Sequence, residues 1–291
     1  MYLASKPISI QARVALLTAF CMFWLLYTSM LYASPRPATP LKATDGTGLL
    51  DQFGTIVYQT QHAAAARLYI IANGHRSAIS GASVAETLQA QVETFRIGEW
   101  LINQNRIDVL LPEGFFGVKG TANTISRHRE PIDNQMLQAA LADTSVFVNA
   151  ELLLHRNYGI GLSQIEDRTL YRQVRDRLLS SRESISLLSP GLTDELAYLQ
   201  KLRTARILQA APEVIESAYQ QGRITAPNAM LTIGLSHLED IIAFLEAGEI
   251  NMAALNTTDS NYPPQLTGLE PFKTRVNVTV IVPNSLIGYR I

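Results

Sequence analysis

Cysteine is the scarcest reactive residue in this chain of 291 residues. Its sole representative, Cys21, lies in an apolar N-terminal segment. A folded domain that begins after that segment therefore has no thiol nucleophile and no disulfide. Cysteine-type zinc sites and iron–sulfur centres are excluded for the same reason.

An excess of charge of one sign is also lacking, since 24 Lys and Arg stand against 25 Asp and Glu and the formal net charge is -1. Composition thus gives no basic footprint for nucleic acid, and we expect no nucleic-acid partner. Neither a Gly-X-Gly-X-X-Gly motif nor a Walker-type loop occurs. Residues 161–165 and 234–238 begin like a serine nucleophile elbow, but Ile165 and Leu238 replace the required final glycine.

Residues 1–33 combine two positive charges, Lys6 and Arg13, with an uncharged apolar run over residues 14–33. Such a run is long enough to span a bilayer once, and it also fits a secretory signal peptide. Because the positive residues precede the apolar run, both alternatives place the rest of the chain outside the cytoplasm. We expect either a membrane-anchored protein or a periplasmic or secreted one.

Residues 34–50 are rich in Pro, Thr and Gly and are typical of a linker. A single α/β domain is predicted over residues 51–291, because short apolar runs alternate with helical patterns. The domain is expected to contain a mainly parallel sheet flanked by helices. The predicted strands are residues 54–60, 67–72, 107–111, 145–150, 229–234 and 276–282.

A helical insertion is predicted over residues 183–222, with breaks at Pro190-Gly191 and Pro212. Three further helix starts are indicated by a Ser-X-X-Glu capping box, in which serine and glutamate side chains bind backbone N–H groups. These boxes pair Ser83 with Glu86, Ser163 with Glu166 and Ser236 with Glu239. Capping gives all three glutamates a structural role.

Three polar residues follow predicted strands and are the candidate site: His75, Glu113 and His237. The carboxyl ends of parallel strands converge on one crevice, whatever their separation in sequence. Two imidazoles and a carboxylate can hold a divalent metal such as Zn, Mn, Co or Fe and leave a position open for water. Without a metal, Glu113 and one histidine could act as an acid/base pair on a bound water.

Four segments resemble the TraB/TIKI superfamily, which includes erythromycin esterases and ChaN-like haem-binding lipoproteins. They are LYIIANGH, IDVLLPEGFFG, GLSQIEDRTLYRQVRDRLL and MLTIGLSHLEDIIAFL, in that order, within residues 65–247. The resemblance implies a metal-dependent hydrolase of peptides or esters with a TraB/TIKI-like α/β fold. His75, Glu113 and His237 would be its metal ligands or acid/base groups, and Arg203 or Arg206 could match an arginine that faces the family's site.

One motif departs from the family pattern, because Ala72 stands where the family has glycine in the motif that ends at His75. The resemblance therefore also allows a degenerate member with an interaction role. A non-catalytic protein of the ChaN type, which binds haem or another ligand at the envelope, is a further alternative.

Overall fold

The computed structural model describes residues 48, 50–60, 62, 64–74, 85–117, 125, 132–143, 148–183, 190–252 and 266–288. All of them belong to one compact unit, Pro40–Tyr289. Its strands are β1 (Gly54–Gln59), β2 (Ala66–Asn73), β3 (Val109–Pro112), β4 (Gly161–Leu162), β5 (Asn228–Gly234), β6 (Glu249–Asn251), β7 (Leu266–Gly268) and β8 (Val276–Pro283).

Six of these strands form the central sheet, in the order β1-β8-β2-β5-β3-β4. Strand β1 is antiparallel to β8, and the other neighbours pair in parallel. Strands β6 and β7 form a separate antiparallel pair. The predicted α/β class with a mainly parallel sheet is therefore confirmed, and the antiparallel strand lies at the edge.

Seven helices accompany the strands in the described part of the chain. They are α1 (Ala85–Asn103), α2 (Asn134–Ala142), α3 (Ala150–Tyr158), α4 (Arg168–Glu183), α5 (Pro190–Gln220), α6 (Leu238–Ala247) and α7 (Glu270–Thr274). Short 3-10 turns occur at Leu50–Gln52, Leu235–His237 and Asn284–Leu286. None of the helices in the described ranges is long and apolar enough to cross a membrane.

The first face of the sheet packs against α1, α2 and α3. Tyr69, Ile71 and Met230 point to this face, where they join a fully buried core with Phe95 of α1 and Leu154 of α3. Alternate residues of each strand point to opposite sides. The other residues of each strand, which alternate with these, therefore point to the second face, toward α5 and α6.

The central strands read as nearly continuous apolar runs because both of their faces are covered. In β5, six of the seven residues are buried, as are six of the eight in β2. Asp108 binds the segment that precedes β5. Its carboxylate accepts hydrogen bonds from the N–H groups of Thr225 and Ala226 at 2.8 and 2.7 Å. This contact aligns the start of β5 beside β3.

Two sequence predictions about elements are wrong within the described residues. Ala150 is not in a strand but begins α3, where the Asn149 side chain accepts a hydrogen bond from the N–H of Leu152 at 3.0 Å. Pro212 does not break the helical segment but lies inside α5. A short window of sequence does not show that Asn149 will cap a helix or that a long helix will tolerate Pro212. The surrounding structure determines both.

Candidate acid–histidine site

Glu113 lies directly after β3, at the carboxyl end of the sheet. Its own N–H donates to the carbonyl of Thr232 at 2.9 Å, which continues the pairing of β3 with β5. One carboxylate oxygen, Oε2, accepts a hydrogen bond from the N–H of Gly234 at 2.5 Å. The side chain is only 9% exposed. Glu113 is therefore held against the end of β5 by its backbone and its carboxylate together.

His237 ends the 3-10 turn that connects β5 to α6, and it is 3% exposed. Its Nε2 lies 3.6 Å from Oε1 of Glu113. Its Nδ1 lies 2.6 Å from Oγ1 of Thr204, a residue of α5. The structure thus brings together two of the three predicted site residues and adds a hydroxyl partner for the imidazole.

The contacts of Thr204 determine which imidazole nitrogen carries the proton. A hydroxyl has one hydrogen, and that of Thr204 donates to the carbonyl of Gln200 at 3.0 Å. With that hydrogen on Gln200, its oxygen would accept from Nδ1–H of His237. In the neutral imidazole, Nε2 would then carry the lone pair, 3.6 Å from Oε1 of Glu113.

Arg203 lies between two buried carboxylates. Its Nη2 is 2.6 Å from Oε1 of Glu113, and its Nε donates to Oε1 of Glu166 at 2.6 Å. The guanidinium also lies over the ring of Tyr171, 5.0 Å from its centroid. Two carboxylates and one guanidinium give this cluster a formal charge of -1 when both acids are ionised.

Glu166 is a member of this cluster and not a capping residue. Its side chain is 1% exposed, and its Oε2 accepts a hydrogen bond from the N–H of Gly114 at 2.9 Å. Gly114 has a φ of 73°, a left-handed conformation that suits glycine in the turn after β3. The capping box predicted for Ser163 and Glu166 is therefore wrong.

Asp167 caps α4 instead, because its carboxylate accepts from the N–H groups of Thr169 and Leu170 at 2.7 and 3.1 Å. The box predicted at Ser236 is also wrong, since no side chain caps the first turn of α6. Ser83, the partner proposed for Glu86, lies outside the described residues. In both wrong predictions the Ser-X-X-Glu spacing is present in the sequence, but the predicted capping contact is not formed.

Burial raises the pKa of the Glu166 carboxyl above its ordinary value of 4.5. The positive charge of Arg203 acts in the opposite direction, and the negative charge of Glu113 adds to the rise. Asp240 on α6 is similar, because burial raises its pKa while Lys201 and His237 lower it. Burial thus shifts Glu166 and Asp240 toward their neutral forms.

The first predicted ligand, His75, lies outside the described residues. Ala72, the departure from the family motif, is fully buried in β2 and pairs in regular register with Ile233. The next pair in that register is Asn73 with Gly234, whose N–H binds Glu113. Alanine at position 72 therefore leaves the strand regular as far as the edge of the site.

The donor atoms of His237 and Glu113 can be tested against the requirements of a metal. Two ligands bound to one zinc at ~2.1 Å with a tetrahedral angle stand ~3.4 Å apart. The 3.6 Å between Nε2 and Oε1 is close to this spacing. Within the described residues there is no group of three or more His, Cys, Asp or Glu side chains that could share a metal. The described residues therefore match a metal in this one distance, on an oxygen that Arg203 also contacts, and the third predicted ligand is His75.

Sequence reasoning did not assign Glu166 or Thr204 to the site, and it left Arg203 and Arg206 as equal candidates. The structure separates the arginines, since Arg203 is 7% exposed among the acids while Arg206 is exposed and contacts Gln209. The neighbouring positions 203 and 204 on α5 reach Glu113 and His237 respectively. A single sequence carries no signal for this, because the packing of α5 against the sheet determines it.

Comparison with models of known families, with curated proteins and with solved structures finds no match for this chain. The resemblance to the TraB/TIKI superfamily thus stays a prediction that rests on its four sequence segments.

Proposed function

We propose that the protein is a metal-dependent hydrolase that cleaves an amide or ester bond, with His75, Glu113 and His237 as metal ligands. The approach of Nε2 of His237 to Oε1 of Glu113 is the observation that carries this proposal. Both side chains are buried at the carboxyl ends of neighbouring parallel strands, where α/β proteins bind their ligands. The substrate would be a peptide or a small-molecule ester.

A divalent metal, such as Zn, Mn, Co or Fe, would lower the pKa of a bound water and polarise the substrate carbonyl. The residues of the chain would prepare that chemistry. Thr204 contacts Nδ1 of His237 and would fix its ring orientation and tautomer, as the outer partner of a metal-binding histidine does. Gly234 and Arg203 fix the carboxylate of Glu113 from two sides.

Glu166 would moderate the charge of Arg203. A guanidinium that faced Glu113 alone would neutralise that carboxylate and weaken its attraction for a cation. Because Arg203 also binds Glu166, the cluster keeps a formal charge of -1 with both acids ionised. Glu166 supports a cation site in this way in its ionised form, which burial disfavours.

Arg203 also favours a second mechanism for the same reaction. Its contact with Oε1 of Glu113 places a cation on the oxygen that faces His237. In the metal-free alternative, Glu113 and His237 act as an acid/base pair on a bound water. Treatment with a chelator distinguishes the two mechanisms, because only the metal-dependent reaction is lost and then restored by added metal.

The location of the reaction is part of the proposal. Residues 1–33 would act as a single membrane span or as a cleaved signal, and the described unit would work outside the cytoplasm. These residues lie outside the described part of the chain. Labelling of the folded unit in intact cells with a membrane-impermeant reagent tests this placement.

A hydrolysis screen of the full chain tests the proposed function. Fluorogenic peptides and chromogenic esters are incubated with Zn, Mn, Co or Fe, and turnover is expected to fall at least ~100-fold in His237→Ala and Glu113→Gln variants. His155→Ala is the matched control, since His155 lies on α3 and its Nδ1 contacts the Ile160 carbonyl at 2.7 Å. Turnover that survives in His237→Ala would overturn the assignment.

The haem-binding alternative has a separate readout. Addition of haem to the full chain would produce a Soret band that is lost in His237→Ala if the protein is a ChaN-type binder. The burial of His237 and the contacts at both of its nitrogens oppose direct access of a large ring. A Soret band without any turnover would replace the hydrolase proposal with the binding proposal.

A further inference from the structure

Two polar side chains are buried on the sheet face opposite Glu113. Asn73 and Thr232 share that face with Ile71 and Met230, because strand residues two apart point to the same side. Both are 2% exposed. Oδ1 of Asn73 and Oγ1 of Thr232 form no hydrogen bond with any of the described residues. An oxygen that is buried without a hydrogen bond lowers the stability of the fold unless another group binds it.

A third such oxygen comes from α1. Thr94 is fully buried, and its Oγ1 likewise has no hydrogen-bond partner within the described ranges. Gly98, one turn later, lies between α3 and β5, since a Cβ placed there would clash with Leu154 and lie 3.3 Å from Sδ of Met230. A Cβ at Gly74, just past the end of β2, would contact Thr87, near the start of α1. Helix α1 therefore runs opposite to the strands.

This direction brings the two threonines to a similar level along the sheet. From Gly98 to Thr94, α1 moves ~6 Å toward the carboxyl ends of the strands. From Met230 to Thr232, β5 advances ~6.6 Å in the same direction. Thr94 is therefore at about the level of Thr232 along the sheet, and Asn73 is on the neighbouring strand.

Gln91 lies one turn before Thr94 on α1, on the side toward the carboxyl ends of the strands. Its Nε2 donates to the carbonyl of Gly74 at 3.0 Å, and its Oε1 accepts from the N–H of Ala150 at 2.9 Å. Both ends of the amide are thus engaged in linking β2, α1 and α3. The unpartnered oxygens of Asn73, Thr94 and Thr232 lie in the same layer, between α1 and this face of the sheet.

We propose that Asn73, Thr94 and Thr232 form an internal hydration site that binds ordered water between α1 and the sheet. Two hydroxyls that can donate and one carbonyl that accepts match a buried water, which makes about three hydrogen bonds. The three groups are uncharged, so they offer no negative charge that would attract a cation. The side chains of Asn73 and Thr232 point away from the acid–histidine cluster, and their test measures stability and bound water, so it can fail while the proposed hydrolase function stands.

Valine variants of the two threonines test this proposal, because valine keeps the shape of threonine and removes the hydroxyl. If the hydroxyls bind water, Thr94→Val and Thr232→Val each lower the Tm of the full chain by roughly 2–4 °C. Thr225→Val supplies the scale, since the Thr225 hydroxyl donates to Asp108 at 2.6 Å and its loss removes a known hydrogen bond. An unchanged or raised Tm in both variants overturns the proposal, as expected for hydroxyls in a dry core.

Water itself is the second probe. Magnetic relaxation dispersion of water ¹⁷O counts long-lived internal waters, and the wild type is expected to have at least one more than the Thr94→Val/Thr232→Val double variant. Equal counts would overturn the hydration site. A Tm that rises specifically with Na⁺ or K⁺ over choline, and loses that rise in the double variant, would identify a cation instead and also overturn it.

Discussion

One hydroxyl, that of Thr204, would set the tautomer of His237. Because it donates to Gln200, its oxygen would accept from Nδ1–H of His237 and leave on Nε2 the lone pair that a metal or a proton would use. This role depends on the position of a single oxygen, and serine could reproduce it while valine could not.

We therefore expect Thr204→Val to weaken metal binding about 10–100-fold, as loss of an outer-shell partner commonly does. Thr204→Ser is the matched control and should stay near the wild-type affinity. The ¹⁵N chemical shifts of His237 report the tautomer directly. Wild-type shifts in Thr204→Val would show that Thr204 does not select it.

Glu166 gives a prediction about pH. Its pKa is raised in the folded protein, with burial as the largest cause. The folded state therefore binds a proton more tightly than the unfolded state, and the contribution of Glu166 to stability falls as pH rises above the ordinary value of 4.5. Above the raised pKa the contribution is constant.

The free energy of unfolding of the wild type, relative to Glu166→Gln, should thus decrease as pH rises from about 4 through this window. Urea unfolding midpoints at several pH values measure the difference. A difference that grows with pH would mean that Arg203 lowers the pKa of Glu166 more strongly than burial raises it.

At the scale of elements, α5 is the helix that completes the site. Arg203 and Thr204 are neighbours on it and contact residues that follow β3 and β5. Tyr171 of α4 packs over the guanidinium, so two helices and two strand ends converge on a single side chain. The site therefore depends on how α5 packs against the sheet.

Removal of the central cation should be severe. Arg203→Met leaves Glu113 and Glu166 buried without their shared counterion, and we expect a loss of roughly 3–5 kcal/mol in the free energy of unfolding. Arg206→Met, on the exposed side of the same helix, should change it by less than about 0.5 kcal/mol. Denaturant unfolding measures both variants.

The double variant Arg203→Met/Glu166→Gln measures the energetic coupling between Arg203 and Glu166. It should recover part of the stability lost in Arg203→Met, because one of the two uncompensated acids is then neutral. Equal losses in the single and double variants would indicate that Glu166 is already protonated at the pH of the measurement.

At the scale of the whole molecule, hydrophobic pattern predicted the sheet well and the polar contacts poorly. Five of the predicted strands are present, because a buried strand needs a run of β-branched and aliphatic residues. They lie around residues 54–60, 67–72, 107–111, 229–234 and 276–282. The two-residue strand β4 was missed, since Gly161 and Leu162 are too short to show a period.

The site was predicted in part for the same physical reason. Strand ends converge by topology, so Glu113 and His237 could be placed together from their positions after β3 and β5. Glu166 could not, because a Ser-X-X-Glu spacing fits a capping box and a buried ion pair equally well. Its surroundings, Arg203 and Gly114, are 37 and 52 residues away in the chain.

Metal content of the full-length chain tests the central claim most directly. The protein is purified without chelators, reconstituted with Zn, Mn, Co or Fe, and analysed beside His237→Ala, Glu113→Gln and the control His155→Ala. The proposal predicts about one metal per chain in the wild type and in His155→Ala, with loss of that metal in the other two. A wild type that binds no metal after reconstitution, or a His237→Ala variant that keeps it, would contradict the proposed metal site.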